Sequence, residues 1–199
     1  MKPTVWIMLI VIILSLGAPT HAQDNVLYQQ DFSGDLTGFQ LGPGWTVTPE
    51  GTLHGLGHTW ATYEGQDFGT DWRITFRLNL VHGRVHLNYR LNDQGRYFIG
   101  FEEGRSDIHK QYWPDTFSGE LTVARIPHAL NTWHTVEIAG EGPVIHLVVD
   151  GQLEWEYDDP DPLLRGTFAF ETIEESEVVI DDIVVYGAGT AAARPPSEP

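Results

Sequence analysis

The strongest constraint on this chain is a period of two that persists from Asp71 to Glu102. Trp72, Ile74, Phe76, Leu78 and Leu80 alternate with Arg73, Thr75, Arg77 and Asn79. Val85, Leu87 and Tyr89 then alternate with His86, Asn88 and Arg90, and Tyr97, Ile99 and Phe101 with Phe98, Gly100 and Glu102. Successive side chains of a strand point to opposite faces of a sheet, so such a stretch gives one apolar face and one free face. The free face here carries Arg, Asn, His and Glu, side chains that hydrogen-bond hydroxyl groups.

Strand-like runs repeat from Val26 to Tyr186 and are separated by Gly, Asn, Asp and Pro. The expected strands are Val26–Phe32, Trp45–Thr48, Thr52–Leu56, Thr59–Glu64, Trp72–Leu80, Arg84–Leu91 and Tyr97–Glu102. Ser106–Trp113, Glu120–Ile126, Thr135–Ala139, Val144–Asp150, Gln152–Tyr157, Thr167–Glu171 and Glu177–Tyr186 follow. Asp150-Gly151 has the composition of a two-residue hairpin turn. A helical period is lacking outside the N-terminal segment, and a short helical turn near His128–Asn131 is the most the pattern allows. Many short strands with a turn at each break predict an all-β, antiparallel two-sheet β-sandwich of the jelly-roll type.

Residues 1–22 read as a secretory signal peptide. Lys2 supplies the positive start, Val5 to Leu16 the apolar run, and Thr20-His21-Ala22 the small residues for cleavage. Residues 23–187 are the expected sandwich domain, and the Pro/Ala-rich stretch 188–199 is expected to be a disordered tail. A secreted, extracellular, periplasmic or cell-surface location follows, with no membrane span in the mature chain. There are no cysteines, so disulfides are excluded and the core, or a bound ion, must hold the domain. A formal net charge of −17 repels polyphosphates and argues against nucleic acid as a partner. The bases concentrate in the middle third of the chain and the acids later, in Glu154 to Asp161 and Glu171 to Asp182.

The order of pieces resembles the concanavalin A-like lectin/glucanase superfamily, in particular its laminin-G-like jelly-roll modules. The resemblance rests on Asp31-Phe32-Ser33-Gly34, on Trp45-Thr46-Val47 followed by Glu50-Gly51-Thr52-Leu53, and on the strand from Asp71 to Leu78. It continues through Asn131 to Ile138, Ile145 to Val149 with Asp150-Gly151, and Val178 to Val185. It implies the jelly roll and leaves lectin, enzyme and spacer module all open as functions.

Glucanases of this fold carry an E-x-D-x-E strand, because hydrolysis needs two carboxyls about 5 Å apart. The sequence has no such motif. Glu154-Trp155-Glu156-Tyr157-Asp158 is its nearest stretch and is expected to be a solvated face, while Glu102, Glu103 and His109 form a looser acid/base set. His54 with His58, and His82 with His86, are four apart outside helical context, which does not align them for zinc. The family resemblance implies a structural calcium ion between Asp31 and Asp181 or Asp182.

The expected function is a secreted, lectin-like carbohydrate-binding module whose partner is an oligo- or polysaccharide. Its expected ligand-binding residues are Arg77, Asn79, His86, Asn88, Arg90, Tyr112 and Trp113, with Trp60 and Tyr63 as further candidate rings. No catalytic residue is assigned. The alternatives are a sugar-processing enzyme of the same fold, through Glu102 and His109, and an adhesion or spacer module.

Overall fold

A computed structural model describes residues 25–187, and the expected signal peptide and tail lie outside them. Thirteen strands are present: β1 (Val26–Gln30), β2 (Phe39–Leu41), β3 (Trp45–Val47), β4 (Leu53–Leu56), β5 (Thr59–Tyr63), β6 (Trp72–Leu91) and β7 (Gly95–Glu102). Then come β8 (Arg105–Tyr112), β9 (Thr116–Ala124), β10 (Trp133–Glu141), β11 (Val144–Val149), β12 (Gln152–Asp158) and β13 (Thr167–Gly187). Every pairing is antiparallel. The all-β, antiparallel expectation holds. His128–Asn131 forms a loop and turn, with no helix among the described residues.

Two expected strands prove to be halves of one, twice over. β6 joins Trp72–Leu80 to Arg84–Leu91, and β13 joins Thr167–Glu171 to Glu177–Tyr186. The first half of β6 pairs with β10 and with the second half of β13, and the second half of β6 with β7 and the first half of β13. The first layer therefore runs β12-β11-β10-β6-β13-β4-β3, with β1 also on β13. The second runs β9-β8-β7-β6-β13-β5-β2.

Both long strands turn at the same level. Gly83 has φ +82°, and a Cβ there would lie 2.3 Å from Ser176 Oγ. That hydroxyl accepts from the Arg84 amide at 2.7 Å and donates to the Ile173 carbonyl. The Ser176 side chain thus takes up backbone groups that the bend removes from the ladder. Between the layers, Phe76 meets Phe101 and Phe170 edge-on, and Trp72 packs on Tyr89 at 4.2 Å between centroids. The alternation read from the sequence builds this core: Trp72, Ile74, Phe76, Leu78, Leu80, Val85, Leu87, Tyr89, Tyr97, Ile99 and Phe101 are all buried.

Three buried charge clusters pin the loops. Lys110 Nζ donates to Asp159 at 2.7 Å and to the Asp161 carbonyl at 2.8 Å, while Tyr97 Oη donates to the same Asp159 at 2.6 Å. His128 lies 2.7 Å from Glu154 and 3.1 Å from the Glu102 carbonyl, and Ser106 Oγ also donates to Glu154. The expectation of a solvated face at Glu154 is therefore wrong. A β-bulge between Leu147 and Val148 shifts the register of β12 against β11, and the Glu154 side chain is buried between His128 and Ser106. Arg90 forms the third cluster and is described with the site.

Two outcomes follow. Lys110→Met leaves Asp159 buried without its counter-charge and should destabilise the protein by about 3–5 kcal/mol, read by urea denaturation; a loss under 1 kcal/mol would show the pair to be dispensable. The Glu154 hydrogen bond, set against partial burial, raises the His128 pKa above its ordinary 6.5. A raised folded-state pKa gives stability that is complete below the unfolded value and is lost as pH rises through the folded one. The Tm advantage of the wild type over His128→Gln should shrink as the pH is raised from about 6 to 9.

Candidate functional site

The second layer turns a polar and aromatic surface away from the core. Register places Trp60, Glu171, His86, Gly100 and Asp107 in one row across β5, β13, β6, β7 and β8. Thr62, Ala169, Asn88, Phe98, His109 and Glu120 form the next row, and Arg96, Gln111 and Phe117 a third. His86, Asn88, Arg96, Phe98, Gln111 and Glu171 are each nine-tenths or more buried although they face away from the core. These side chains therefore cover one another and are covered by the rings beside them.

Arg96 is its centre. Its Nη1 donates to Glu171 at 2.7 Å and to Asn88 at 2.6 Å, and its Nε donates to Gln111 at 2.8 Å. The guanidinium carbon lies 4.7 Å from the Trp60 ring centroid, 5.0 Å from Phe98 and 5.7 Å from Trp113. Cation and rings fix one another by electrostatic attraction to the ring faces. Trp113 is 39 % exposed and its Nε1 donates to the Asn92 carbonyl, so the ring is held while part of its surface stays open. Phe98 stacks flat on His109 at 4.8 Å and meets Phe117, itself 58 % exposed, edge-on.

A second arginine organises the adjoining rows. Arg84 donates to His86 Nε2 at 2.9 Å, to Glu102 at 3.1 Å and to Asp107 at 2.5 Å. Because His86 Nε2 accepts, its ring proton sits on Nδ1, which faces Glu171 at 3.4 Å. Burial, with the Arg84 and Arg96 charges adding to it against the Glu171 interaction, depresses the His86 pKa and keeps it neutral. Gly100 makes room for this arrangement, since a Cβ there would lie 2.2 Å from Arg84 Nη2 and 2.6 Å from Asp107. Burial would raise the carboxyls of Asp107 and Glu171. The approach of His109 and the hydrogen bond and charge of Arg84 on Asp107, and the hydrogen bond of His86 with the charge of Arg96 on Glu171, outweigh it, so both lie below the usual range.

The residues expected to bind ligand do not form one set. His86, Asn88 and Trp113 come together at this surface. Arg77 and Asn79 lie on the outer face of the first layer, because β6 changes layer between Leu80 and Arg84. There Arg77 pairs with Asp181 and Asp182 and lies over Trp133. Arg90 is 0 % exposed and is not on the free face. Its φ of +51° breaks the alternation and turns the side chain inward, where it donates to the Leu163 carbonyl at 3.1 Å and the Thr70 carbonyl at 2.8 Å. Gly140 leaves the space it fills. Tyr112 alternates opposite to Gln111, and its hydroxyl is taken by Asp161. Tyr63 is in the core, stacked on Phe168.

Arg96, Gln111, Phe98 as a floor, Asp107 and Glu171 are the members the sequence reading leaves out. For Arg96 a signal exists: extending the β7 alternation back by one residue puts it beside Phe98, Gly100 and Glu102. Glu171 carries none, since nothing local reveals that β13 neighbours β6.

Among the described residues, Asp107, His109 and Glu120 are a trio with ligand atoms within 4.8 Å of one another. Arg105 already pairs with both carboxylates and Arg84 with Asp107, so the trio is charge-satisfied without an ion. Asp31 lies at the end of β1 and accepts from the Ser33 amide and hydroxyl, and with Asp35 and Asp182 it lines a cavity of about 440 Å³. Asp181 points to the nearby Arg77.

No family model matches the sequence, and no curated protein matches it. Solved structures do match. A Bacillus subtilis protein of unknown function with a galectin-like fold superposes with TM-score 0.72 at 10 % identity, covering 85 % of this chain and 100 % of that one. The Bacillus licheniformis β-glucanase gives 0.64 at 12 %, over 82 % and 98 %. The carbohydrate-binding module CBM66 from Bacillus subtilis gives 0.63 at 15 %, over 75 % and 96 %. The described residues thus share the jelly-roll β-sandwich fold of these structures.

Proposed function

We propose that the protein is a secreted, non-catalytic carbohydrate-binding module whose site is the outer surface of the second layer, centred on Arg96. The observation that carries this reading is a largely buried guanidinium set among Trp60, Phe98 and Trp113, with Asn88 and Gln111 as planar partners. A pyranose offers an apolar C–H face and a rim of hydroxyls. Open aromatic surface takes the former, and the edge of the Arg96 guanidinium left accessible, held in place by Asn88, Gln111 and Glu171, takes the latter with little loss of side-chain entropy on binding. The fold neighbours named as a carbohydrate-binding module and a β-glucanase support sugar as the ligand class.

The charge pattern supports binding over hydrolysis. A glycosidase needs one carboxyl of raised pKa as acid and a second as base or nucleophile. On this surface Glu102, Asp107, Glu120 and Glu171 are each held by an arginine. Asp107 and Glu171 are accordingly lowered. His109, the partner of Glu102 in the enzymatic alternative, lies flat on Phe98.

A structural calcium ion is a separate proposal. Asp181 is raised by burial and by the charges of Asp182 and Asp31, a crowding that a divalent cation would relieve and that Arg77 relieves in part. Asp31 and Asp182 would be its ligands.

The tests differ. Binding of the purified protein to a glycan array should be retained by Asn79→Ala and weakened about tenfold by Trp113→Ala or Trp60→Ala, at unchanged circular dichroism. Equal binding by all three variants would remove the site from this surface. Chromogenic glycosides should not be turned over by wild type or Glu102→Gln alike; turnover abolished by Glu102→Gln would establish the enzyme reading. Millimolar calcium should raise Tm above its value in EDTA, and Asp182→Asn should abolish that difference.

A further inference from the structure

The turn between β7 and β8 and the segment after β9 enclose a second cleft of about 440 Å³, lined by Glu102, Glu103, Arg105, Arg125 and Leu130. It adjoins the surface just described, because Glu102 also binds Arg84 and Arg105 also binds Asp107 and Glu120. Its two walls are tied together. The His128 amide donates to the Glu103 carbonyl at 2.7 Å, and the His128 ring bridges the Glu102 carbonyl and the buried Glu154. The cleft is thereby preformed.

Arg125 sets it apart. Each of the other arginines and the lysine among the described residues has a hydrogen-bond or ion-pair partner. Arg125 has none there, although the chain carries 28 acids to 11 bases. Glu103 lines the same cleft, is exposed like Arg125, and has no side-chain partner for its carboxylate among the described residues. An unengaged guanidinium, an unengaged carboxylate and an apolar Leu130 give donors, acceptors and a greasy contact without net charge. A neutral polyhydroxyl ring uses all three, whereas an anion would be repelled by Glu103 and a cation by Arg125.

We propose that this cleft is a second saccharide subsite, with Arg125 and Glu103 as specificity-determining residues, and that the ligand is a neutral oligosaccharide lying along β7. The inference rests on the carbohydrate reading of the Arg96 surface. Arg96 and Glu102 stand six residues apart on β7, which at about 3.4 Å per residue separates the two ends by about 20 Å. A disaccharide is too short to occupy both ends, and a longer chain engages both.

Neutral β-glucan and β-galactan oligosaccharides of two to six units, titrated by calorimetry into the full-length mature protein, test this. Wild-type affinity should rise with length. Arg125→Ala and Glu103→Ala should weaken the longer chains about three- to tenfold, the loss of one or two hydrogen bonds, and leave the disaccharide unchanged. Trp113→Ala should weaken every length. Variants at Arg125 and Glu103 that bind all lengths as wild type does, or that lose the disaccharide equally, overturn the subsite while sensitivity to Trp113→Ala leaves the central site standing. Failure of the wild type to bind any length overturns both.

Discussion

The fold depends on one constraint: two strands, β6 and β13, each belong to both layers and lie side by side in each. Their shared bend at Gly83 and Ser176 sets how the layers stack, because glycine alone lets the two backbones approach and the serine hydroxyl takes up backbone groups at the bend. The inner faces are then filled by the period of two. Outer faces become two separate surfaces that share no residue, one around Trp133 and Arg77 and one around Arg96. Which chemistry meets which is decided at that bend.

This explains where the sequence is legible and where it is not. Alternation in Trp72–Leu80 and Arg84–Leu91 identifies every apolar core residue of β6, because apolar packing on one side and polar partners on the other act residue by residue. Layer membership is a long-range property, and the apolar or polar label of Arg77 is the same in either sheet. Arg90 departs for a local reason: a left-handed residue reverses the face, and nothing but its buried carbonyl partners, Thr70 and Leu163, compels it. β2 is too short for alternation to register. Trp113 fares better, since a ring beside a proline turn is visible as one that the core does not absorb.

The electrostatics of the candidate site follow from the same geometry. In a chain with a large acidic excess, Arg84, Arg96 and Arg105 gather where β6, β7 and β8 adjoin, and they draw in acids from other strands. Glu171 from β13 and Glu120 from β9 are examples. The result is an array of planar groups whose charges largely cancel, with Arg84, Arg96 and Arg105 against Glu102, Asp107, Glu120 and Glu171. Such an array is suited to ligands recognised by hydrogen-bond direction, since it has little net field to offer an ion.

The place of β13 at the end of the described chain has a bearing on biogenesis. The strand that is central to both layers is the last of the described strands to be synthesised, so neither layer can acquire its middle until the segment up to Gly187 has left the ribosome. Everything made before Thr167 has hairpins and edges to form and no closed interior to bury them in. The described layers therefore close late, by the docking of one long strand between partners already made.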